Sequence, residues 1–552
     1  MPLHPFLYTT LYTHIGCHFD YTDPYKSTIT NPTEDSAQTI TDTTTNEDSS
    51  SDSANDTDET NTEPASPSNE PASPSSEPAS PSSEPSSPSS EPSSPSSEPS
   101  NEVILPNTCY TPNLVSTDLL SGQSSFGTSE STQVNGYTDQ YLYDASNYIK
   151  IGVREDWGGS IIFFGLANGT IGMNNSNTID ANDTGREVQV AFYDPDRVRQ
   201  GCAHNASCQT TPLVCPNSIT YLGWNPVQGG NRCNNGSPIA SISNQQGRLN
   251  LSVQPLHWNP NWSFTDCTNT GCSNPSLSMN LSDVLVEQRL RFVDTHIVEL
   301  HYVIHEQGGI DHAPTLQELP TVYSANGNNG PDLWKLLDAN GNQVSIDIPA
   351  NDGFFYKNFT SSLPWVSLQN NALSYGIGIL YENGISDFQG WQNRSLPFNN
   401  VRASLSFGIP ANSTIQARVY LMLGSYATIE GLANSLYASL PPFGALDIPA
   451  HQQTWNGTTL DIQGWALDNQ GIQSIIARID DQFDHSLQYG ASRPDVCVAW
   501  PGYPNCSSVG FYGTVDISTL PTLPQCAHQI EILATDTHGN TRVISRTMFY
   551  LP

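Results

Sequence analysis

Basic residues are scarce in this sequence of 552 residues. It carries 19 lysines and arginines against 54 aspartates and glutamates, which gives a formal net charge of −35. A surface with this excess of negative charge repels the phosphates of nucleic acids and of anionic lipids. We therefore expect no nucleic-acid partner, and we interpret the charge as a means of keeping an extracellular protein in solution.

Long apolar runs are also missing. The sequence has no stretch of 18 apolar residues, so it predicts no transmembrane helix. Residues 1–30 make a poor signal peptide, because they lack a basic n-region and because Thr and His dilute the apolar segment. Ile15-Gly16-Cys17 resembles the end of a bacterial lipobox, with His14 in place of the usual Leu. Cys17 is thus a candidate lipid anchor that would tether the protein to a membrane; a chance match or a misplaced start codon is the alternative.

Common catalytic signatures do not occur either. The sequence contains no G-x-S-x-G, H-E-x-x-H, P-loop or dinucleotide-binding fingerprint. His296, His301 and His305 lie in strand-like sequence in which only the last two share a face, and this spacing does not favour a metal site. We expect no cofactor and no metal.

Eleven cysteines are present, and several lie close together in polar, loop-like sequence. Such cysteines favour disulfides, which imply an oxidising compartment. Zinc is the rival interpretation, but the CAHNASC segment, 202–208, lacks the paired ligand spacing that zinc requires. The candidate disulfide cysteines, paired with their neighbours, are Cys202 and Cys208, Cys215 and Cys233, Cys267 and Cys272, and Cys497 and Cys506.

Residues 31–102 are predicted to form a disordered acidic linker rich in Ser and Pro. They contain almost no large apolar side chain, so no burial would offset the loss of chain entropy on folding. A seven-residue unit of the type EPASPSS repeats from Glu63 onward, and its two prolines exclude a helix. We predict an extended stalk that is partly polyproline II.

From residue 103 to residue 445 the composition becomes globular, and strand signals dominate. Segments 286–292 and 298–304 alternate apolar and polar residues and are joined by Asp294-Thr295, which predicts a hairpin. Helical periodicity is convincing only over residues 428–440. The sequence therefore predicts an all-β domain, a large β-sandwich or supersandwich, rather than a parallel α/β sheet.

Residues 446–552 show short strand signals separated by turns, a spacing typical of an immunoglobulin-like sandwich. The motifs GWALD at 464–468 and ATDTHGN at 534–540 resemble those of a bacterial Ig-like module. That resemblance implies a spacing or adhesion role without chemistry. The last five residues of the second motif predict a hairpin turn.

Two polar clusters lie at loop-to-strand junctions of the large domain, where functional sites concentrate. The first is D-x-G-R-x-x-Q at 183–189 and the second is W-N-P-x-Q-G-G at 224–230. Together they resemble an incompletely characterised family of secreted bacterial proteins, which we associate with the β-supersandwich of mutarotase-like domains and several polysaccharide lyases. The resemblance would cover roughly residues 145–445, and a cysteine-rich insertion at 201–217 departs from it.

The residue types of the two clusters suit a sugar site. Trp224 offers a flat apolar face to a pyranose ring, and the polar residues beside it supply donors and acceptors for vicinal hydroxyls. Arg186 would clamp a carboxylate through two hydrogen bonds. The alternative is structural, namely a hydrogen-bonded corner and a packed turn with a buried tryptophan. The predicted substrate-binding residues are Arg186, Gln189, Trp224, Asn225 and Gln228.

The segment after the predicted hairpin supplies candidate catalytic groups. A lyase needs a base for the proton α to a uronate, which His312 or Tyr323 would provide while Arg186 neutralises the carboxylate. A hydrolase needs two carboxylates, and Glu318 and Asp183 are the candidate pair. An epimerase would use Glu318 as base and a histidine as acid. The sequence leaves all three reactions open.

The sequence thus predicts a secreted or cell-surface protein, in one version an outer-membrane lipoprotein, that binds or processes a polysaccharide or another glycan. A non-catalytic glycan-binding or adhesion protein is the alternative, and a structural envelope protein is a third hypothesis. Burial of both polar clusters would favour the structural protein. An open cleft would favour the enzyme if it united Asp183, Arg186, Trp224, Gln228 and Glu318.

Overall fold

The computed structural model describes the chain in eight stretches, all of them C-terminal to residue 126. They are 127–168, 176–198, 224–258, 278–325, 331–345, 354–393, 398–519 and 526–552. The predicted anchor, 1–30, and the predicted linker, 31–102, lie outside the described residues. So do six of the predicted cysteines: Cys17, Cys202, Cys208, Cys215, Cys267 and Cys272.

Strands dominate the described part of the chain, as the sequence predicts. Before residue 425 they are β1 (Ser129–Val134), β2 (Tyr137–Tyr143), β3 (Ile149–Arg154), β4 (Ser160–Leu166), β5 (Val188–Ala191), β6 (Pro226–Val227), β7 (Ile239–Gln245), β8 (Arg248–Val253), β9 (Leu256–His257), β10 (Val284–Asp294), β11 (Ile297–Glu306), β12 (His312–Tyr323), β13 (Lys335–Leu337), β14 (Phe354–Thr360), β15 (Trp365–Gln369), β16 (Gly376–Tyr381), β17 (Asp387–Asn393), β18 (Phe398–Ala403), β19 (Leu405–Ile409) and β20 (Thr414–Gly424). After it they are β21 (Phe443–Ile448), β22 (Gln453–Thr454), β23 (Thr459–Leu467), β24 (Ile472–Ile479), β25 (Phe483–Arg493), β26 (Ser507–Asp516), β27 (Ala527–Asp536) and β28 (Thr541–Tyr550).

Helices are few in the same stretches. They are α1 (Pro195–Val198), α2 (Tyr426–Ser439) and α3 (Pro494–Ala499), with short 3-10 turns at Glu155–Trp157 and Ile517–Thr519. None of these helices has the length and apolar character needed to cross a membrane. The prediction of an all-β protein is confirmed.

The first twenty strands form two sheets. The first sheet has the order β1-β2-β3-β4-β5-β12-β18-β17-β14, with β19 added to β12 and with β6 and β9 added beside β5. The second has the order β13-β15-β16-β20-β11-β10-β8-β7. The predicted hairpin is confirmed, because β10 pairs with β11 from Val284 opposite Glu306 to Asp294 opposite Ile297.

The inner faces of the two sheets share one hydrophobic core. Val188 and Val322 of the first sheet lie in the same buried cluster as Leu290, Leu300 and Leu421 of the second. Along β10, buried residues alternate with more exposed ones, which is the pattern that places one face of a strand in a core. The twenty strands therefore form a large β-sandwich.

Helix α2 covers the outer face of the second sheet and confirms the helix predicted over residues 428–440. The Ser425 side chain accepts a hydrogen bond from the Thr428 amide and caps the helix N-terminus. Ile429 and Ala433, one turn apart, face the sheet and are buried. A Cβ at Gly378 of β16 would lie 2.4 Å from Ile429 Cγ2, so only glycine lets the helix approach this closely.

The last eight strands form a third sheet of order β21-β23-β26-β25-β24-β27-β28-β22. It encloses a core of its own that includes Leu460, Ile475, Phe511, Ile530 and Phe549. The predicted turn is confirmed, because the Asp536 amide donates to the Asn540 carbonyl at the end of the β27–β28 hairpin. The assignment of this sheet to the Ig-like family stays a prediction.

The third sheet is packed against the outer face of the second. The Arg418 guanidinium of β20 lies 4.7 Å from the Phe443 ring centre and 5.2 Å from that of Trp500. The His301 ring of β11 stacks on Trp500 at 5.7 Å, and the Asn383 amide donates to the Pro501 carbonyl. Aromatic, charged and hydrogen-bonded contacts thus join the C-terminal sheet to the sandwich.

Candidate functional site

The two polar motifs of the sequence contact each other. The Gly229 amide donates to Gln189 Oε1 at 3.2 Å, and the Val190 amide donates to Gln228 Oε1 at 3.3 Å. Thr184 Oγ1 donates to the Asn231 carbonyl at 3.0 Å. The D-x-G-R-x-x-Q and W-N-P-x-Q-G-G segments are therefore two sides of one hydrogen-bonded junction, which gives a structural reason for them to occur together.

Much of the second motif lies in the protein interior. Gln228 has no exposed surface, and its side-chain nitrogen donates to Gln288 Oε1 at 2.9 Å, which links the first sheet to the second. The Asn225 side chain is also buried. Because its amide groups bind protein, Gln228 has a structural role at this junction, and these contacts do not support its predicted role in sugar binding.

Trp224 and His312 form a second buried group. Their rings stack with centroids 3.6 Å apart, and Trp224 Nε1 donates to Asp283 Oδ1 at 3.0 Å. His312 Nδ1 lies 3.0 Å from Asp194 Oδ2, and Nε2 lies 3.1 Å from Asp283 Oδ2. The Trp224 side chain is only 2% exposed and the His312 side chain is not exposed at all. The ring nitrogens are all bonded to carboxylates and one face of each ring covers the other, so both side chains serve a structural purpose here, and this arrangement does not support their predicted roles.

Electrostatics explain why this group is stable. Burial lowers the pKa of His312, but the hydrogen bonds and charges of Asp194 and Asp283 outweigh it, and the net pKa is raised. Burial likewise raises the pKa of Asp283, and the bonds to His312 and Trp224 overcome it, so this pKa is lowered. A charged imidazolium between two carboxylates, with an indole ring on its face, is a structural ion cluster.

A grouping of possible metal ligands, Asp283, Glu306 and His312, has ligand atoms within 4.8 Å of one another. Both oxygens of Glu306, however, already accept hydrogen bonds from backbone amides. Its Oε1 accepts from Gly308 at 2.8 Å and its Oε2 from Gly309 at 3.1 Å. Glu306 therefore anchors the loop after β11, whereas His312 and Asp283 are joined by a hydrogen bond of their own.

Polar and aromatic side chains collect on the outer face of the first sheet, where β5, β12, β18 and β17 are neighbours. Strand register places Gln189, Thr321, Arg402 and Gln389 in one row. A second row contains Glu187, Tyr323, Asn400 and Trp391, with Glu187 joined by its carbonyl to the Tyr323 amide. The alternate residues, such as Val188, Val322 and Val401, point into the core. We call these two rows, with Tyr193 and Glu318, the polar face.

Glu318 is the centre of the strongest hydrogen-bond cluster on the polar face. It receives hydrogen bonds of 2.5 Å from Tyr193 Oη, Thr321 Oγ1 and Arg402 Nη1. A register shift in β12 between Glu318 and Thr321 allows both side chains to reach the same face. Burial, and then the charge of Glu318, raises the pKa of Tyr193 well above its ordinary value, so this phenol stays protonated and donates to the carboxylate.

Four buried acceptor atoms at or beside the polar face have no hydrogen-bond partner. They are both carboxyl oxygens of Glu187, Oδ1 of Asn400 and Oδ2 of Asp180. The Arg186 and Glu187 backbone amides lie near the Glu187 carboxyl and partly offset the effect of its burial on the pKa, but no hydrogen bond of ordinary geometry satisfies either oxygen. An unsatisfied buried polar group costs about 1–3 kcal/mol. A water or ligand that donates hydrogen bonds here would remove that cost.

Burial raises the pKa of two acidic residues, Glu187 and Asp180. Burial, and then the charge of Asp183, raises the pKa of Glu187 well above its ordinary value. Burial raises the pKa of Asp180 to about 7, although the nearby positive charge of Arg186 opposes the rise. Burial therefore favours the protonated form of Glu187, whereas the Glu318 carboxyl faces three donors. Two carboxyl groups in such different surroundings suit the acid and base of a proton-transfer reaction.

Asp183 and Arg186 lie in the loop that leads into β5. Arg186 Nε is 3.6 Å from Asp183 Oδ2, and the Gly185 amide donates to Asp183 Oδ1 at 3.0 Å. Both side chains are partly exposed. Among the described residues, Asp183 and Glu318 share no hydrogen-bond partner, and their pairing as the carboxylates of a hydrolase stays a prediction. The first polar cluster is thus partly open and the second is buried, and the single cleft expected of the five predicted residues is not formed.

Sequence reasoning missed several residues of the polar face. Glu187 lies inside the first motif, and its alternation with Gln189 was the signal that would have placed both on one face. Arg402 and Asn400 alternate with buried residues in β18 in the same way, but they are more than 200 positions from β5. Only the pairing of β5, β12 and β18 brings these residues together, and no local pattern predicts that pairing.

No model of a known protein family matches this chain, and no curated protein matches it. Among solved structures, it is similar to a galactose mutarotase-like protein from Clostridium acetobutylicum, with 7% identity, 55% of this chain and 100% of that chain covered, and a TM-score of 0.34. A protein from Synechocystis is 11% identical over 55% of this chain and 99% of its own, with a TM-score of 0.32. A polysaccharide lyase is 6% identical over 73% of this chain and 46% of its own, with a TM-score of 0.27.

Proposed function

We propose that the protein binds a carbohydrate on the polar face of its first sheet and catalyses an acid–base reaction on it. The observation that carries this proposal is the set of buried, unpaired acceptors of Glu187, Asn400 and Asp180 beside the rings of Tyr323 and Trp391. Sugar hydroxyls are the donors that such acceptors need, and aromatic faces pack against the apolar side of a pyranose ring.

Glu187 and Glu318 are the acid and base of this proposal. Glu318 bonds to Thr321, which lies opposite Gln189, and Glu187 is two residues further along β5. The strand register places Glu318 opposite Ala191, which is four residues from Glu187 along β5, so the two acids are set apart along the face. This arrangement supports an inverting hydrolase or an epimerase over a retaining hydrolase, which brings its two carboxyl groups to about 5 Å.

A lyase has less support from the same geometry. The Tyr193 phenol has a pKa well above its ordinary value and is a poor base near neutral pH. Arg402 already pairs with Glu318, and its Nε donates to Gln389 Oε1 at 3.0 Å, so both sides of the guanidinium have protein partners that a uronate would have to displace. The lyase therefore ranks below the other two reactions.

Glycan binding without catalysis is the second candidate function, and one observation favours it. Glu318 already receives three hydrogen bonds from protein side chains. Such an arrangement fits a structural cluster as well as a general base that is held in position. In that case Asn400 and Trp391 bind the sugar and no proton is transferred.

The experiment that separates these functions uses a panel of neutral and uronate-containing polysaccharides. Reducing-sugar release reports hydrolysis, ultraviolet absorbance of unsaturated uronates reports elimination, and proton NMR of the anomers reports epimerisation. Glu187→Gln is compared with Asp461→Asn, an exposed residue of β23 that serves as the control. We expect Glu187→Gln to lower the rate about 100-fold or more and the control to match the wild type. Binding without any product would select the second function, and neither binding nor product would contradict both.

We further propose that the protein works outside the cytosol. All four described cysteines are disulfide-bonded: the predicted pair Cys497–Cys506, and also Cys233 and Cys526. Disulfides of this number persist in oxidising compartments. Mass spectrometry of alkylated native protein, with and without prior reduction, tests the proposal, and eleven alkylated thiols in the unreduced sample would refute it. Lipid attachment at Cys17 would appear in the same spectra as an added acyl mass.

A further inference from the structure

A cavity of about 600 Å³ lies where the sandwich meets the C-terminal sheet. Strands β12 and β19 supply one wall, with Pro314 and Phe407. The loop closed by the Cys497–Cys506 disulfide supplies the other, with Val498 and Pro501. Volumes of this size hold ligands of drug-like dimensions, and such sites occur preferentially at domain interfaces. This cavity is separate from the polar face, which lies further along β12.

The walls are apolar, and the apolar surface continues to the mouth. Val498 is 40% exposed and Ile310, beside the lining residue Asp311, is 37% exposed. They are two of only six large apolar side chains that are exposed in the described part of the chain. A patch of exposed apolar residues around a cavity marks a binding surface rather than random surface composition.

The exposed charges at this cavity are negative. Asp196 and Asp311 are both exposed and contribute carboxylates to the lining, and the described lining residues include no lysine or arginine. The basic group in the lining, His312, is buried and already paired with Asp194 and Asp283. Asp311 is held in place because its Oδ1 accepts the Ala411 amide at 2.8 Å. The net charge of −35 also concentrates small cations near the surface. A ligand with an apolar body and a positive group packs against the apolar walls and pairs with the carboxylates.

We propose that this cavity is a binding site for a small organic cation, a protonated amine that carries an aromatic or alicyclic body. The apolar body lies between Pro314 and Val498, which are both exposed, and the ammonium group lies toward Asp196 and Asp311. Since both the sandwich and the disulfide loop line the site, bound ligand also stabilises the contact between them.

Three probes with the same ring and different charge test the proposal by isothermal titration calorimetry. They are the 2-phenylethylammonium ion, neutral 2-phenylethanol and anionic 3-phenylpropionate. We expect affinity to fall in that order. The double variant Asp196→Asn with Asp311→Asn should weaken the amine about tenfold, to the level of the alcohol, because two exposed ion pairs are removed. Asp461→Asn, which removes an exposed carboxylate elsewhere, should change nothing.

Two substitutions test the position of the site. Ser406→Trp fills the cavity from the exposed side of β19, and Val498→Trp fills it from the disulfide loop. Either substitution should abolish binding of all three probes. The thermal unfolding temperature of the free variant should stay close to that of the wild type. If Ser406→Trp does not fold, Val498→Trp provides the same test. Absence of amine binding to the wild type, equal affinity for amine and carboxylate, or binding unchanged in both tryptophan variants would each overturn the proposal.

Discussion

The substitution Asp180→Asn tests how much stability the protein loses by burying a carboxyl group beside the polar face. Asp180 is not exposed, its Oδ2 has no partner, and burial raises its pKa to about 7 from an ordinary value of 3.8. A carboxyl with a raised pKa binds its proton more tightly in the folded state. Its contribution to stability is therefore present below pH 3.8 and is lost as the pH rises through about 7.

The size of the effect follows from the shift. A difference of about three pKa units corresponds to about 4 kcal/mol, at 1.36 kcal/mol for each unit. Asn has the same shape and no charge, so Asp180→Asn should be more stable than the wild type by a few kcal/mol at pH 8 and should lose that advantage at pH 4. Urea unfolding of both proteins across this range measures the difference, with Asp461→Asn as the control for removing one exposed carboxylate. A stability difference that stays constant from pH 4 to pH 8 would refute the reasoning.

Three further predictions concern other parts of the molecule. His312→Gln should destabilise the protein most below pH 6.5, and the deficit should shrink as the pH rises through the raised pKa of His312, which denaturation at several pH values would show. Arg418→Met should cost about 3–5 kcal/mol in urea unfolding, because it leaves Glu299 and Glu382 without their buried cation; a cost below 1 kcal/mol would contradict this. On a glycan array, Trp391→Ala should bind any glycan that the wild type retains about tenfold more weakly, or weaker still, because the aromatic face is lost. Unchanged retention would place the sugar elsewhere.

Local patterns predicted the parts of the fold that depend on neighbours in sequence. The β10–β11 hairpin follows from alternation around a two-residue turn, and helix α2 follows from its apolar spacing. The Cys497–Cys506 disulfide joins residues nine positions apart. In each case the interaction that fixes the structure lies within a short segment.

The candidate site was harder to predict because residue type does not reveal which side of a sheet a residue faces. Trp224 and Gln228 have the chemistry of a sugar site, yet both are buried in the sandwich. Tyr193 and Arg402 meet at Glu318 only because β5, β12 and β18 pair across long separations in sequence. A register shift in β12 then turns Glu318 toward them, and no pattern in the sequence predicts that shift.

The most direct test of carbohydrate binding at the polar face is calorimetric titration of the best glycan from the panel into wild type and into Asn400→Ala. Asn400 lies at the centre of the face, pairs across the strands with Tyr323 and Trp391, and has an acceptor without a partner. We predict that the wild type binds the glycan and that the folded Asn400→Ala variant binds it about tenfold more weakly. Equal affinity of the two proteins would contradict the location of the site.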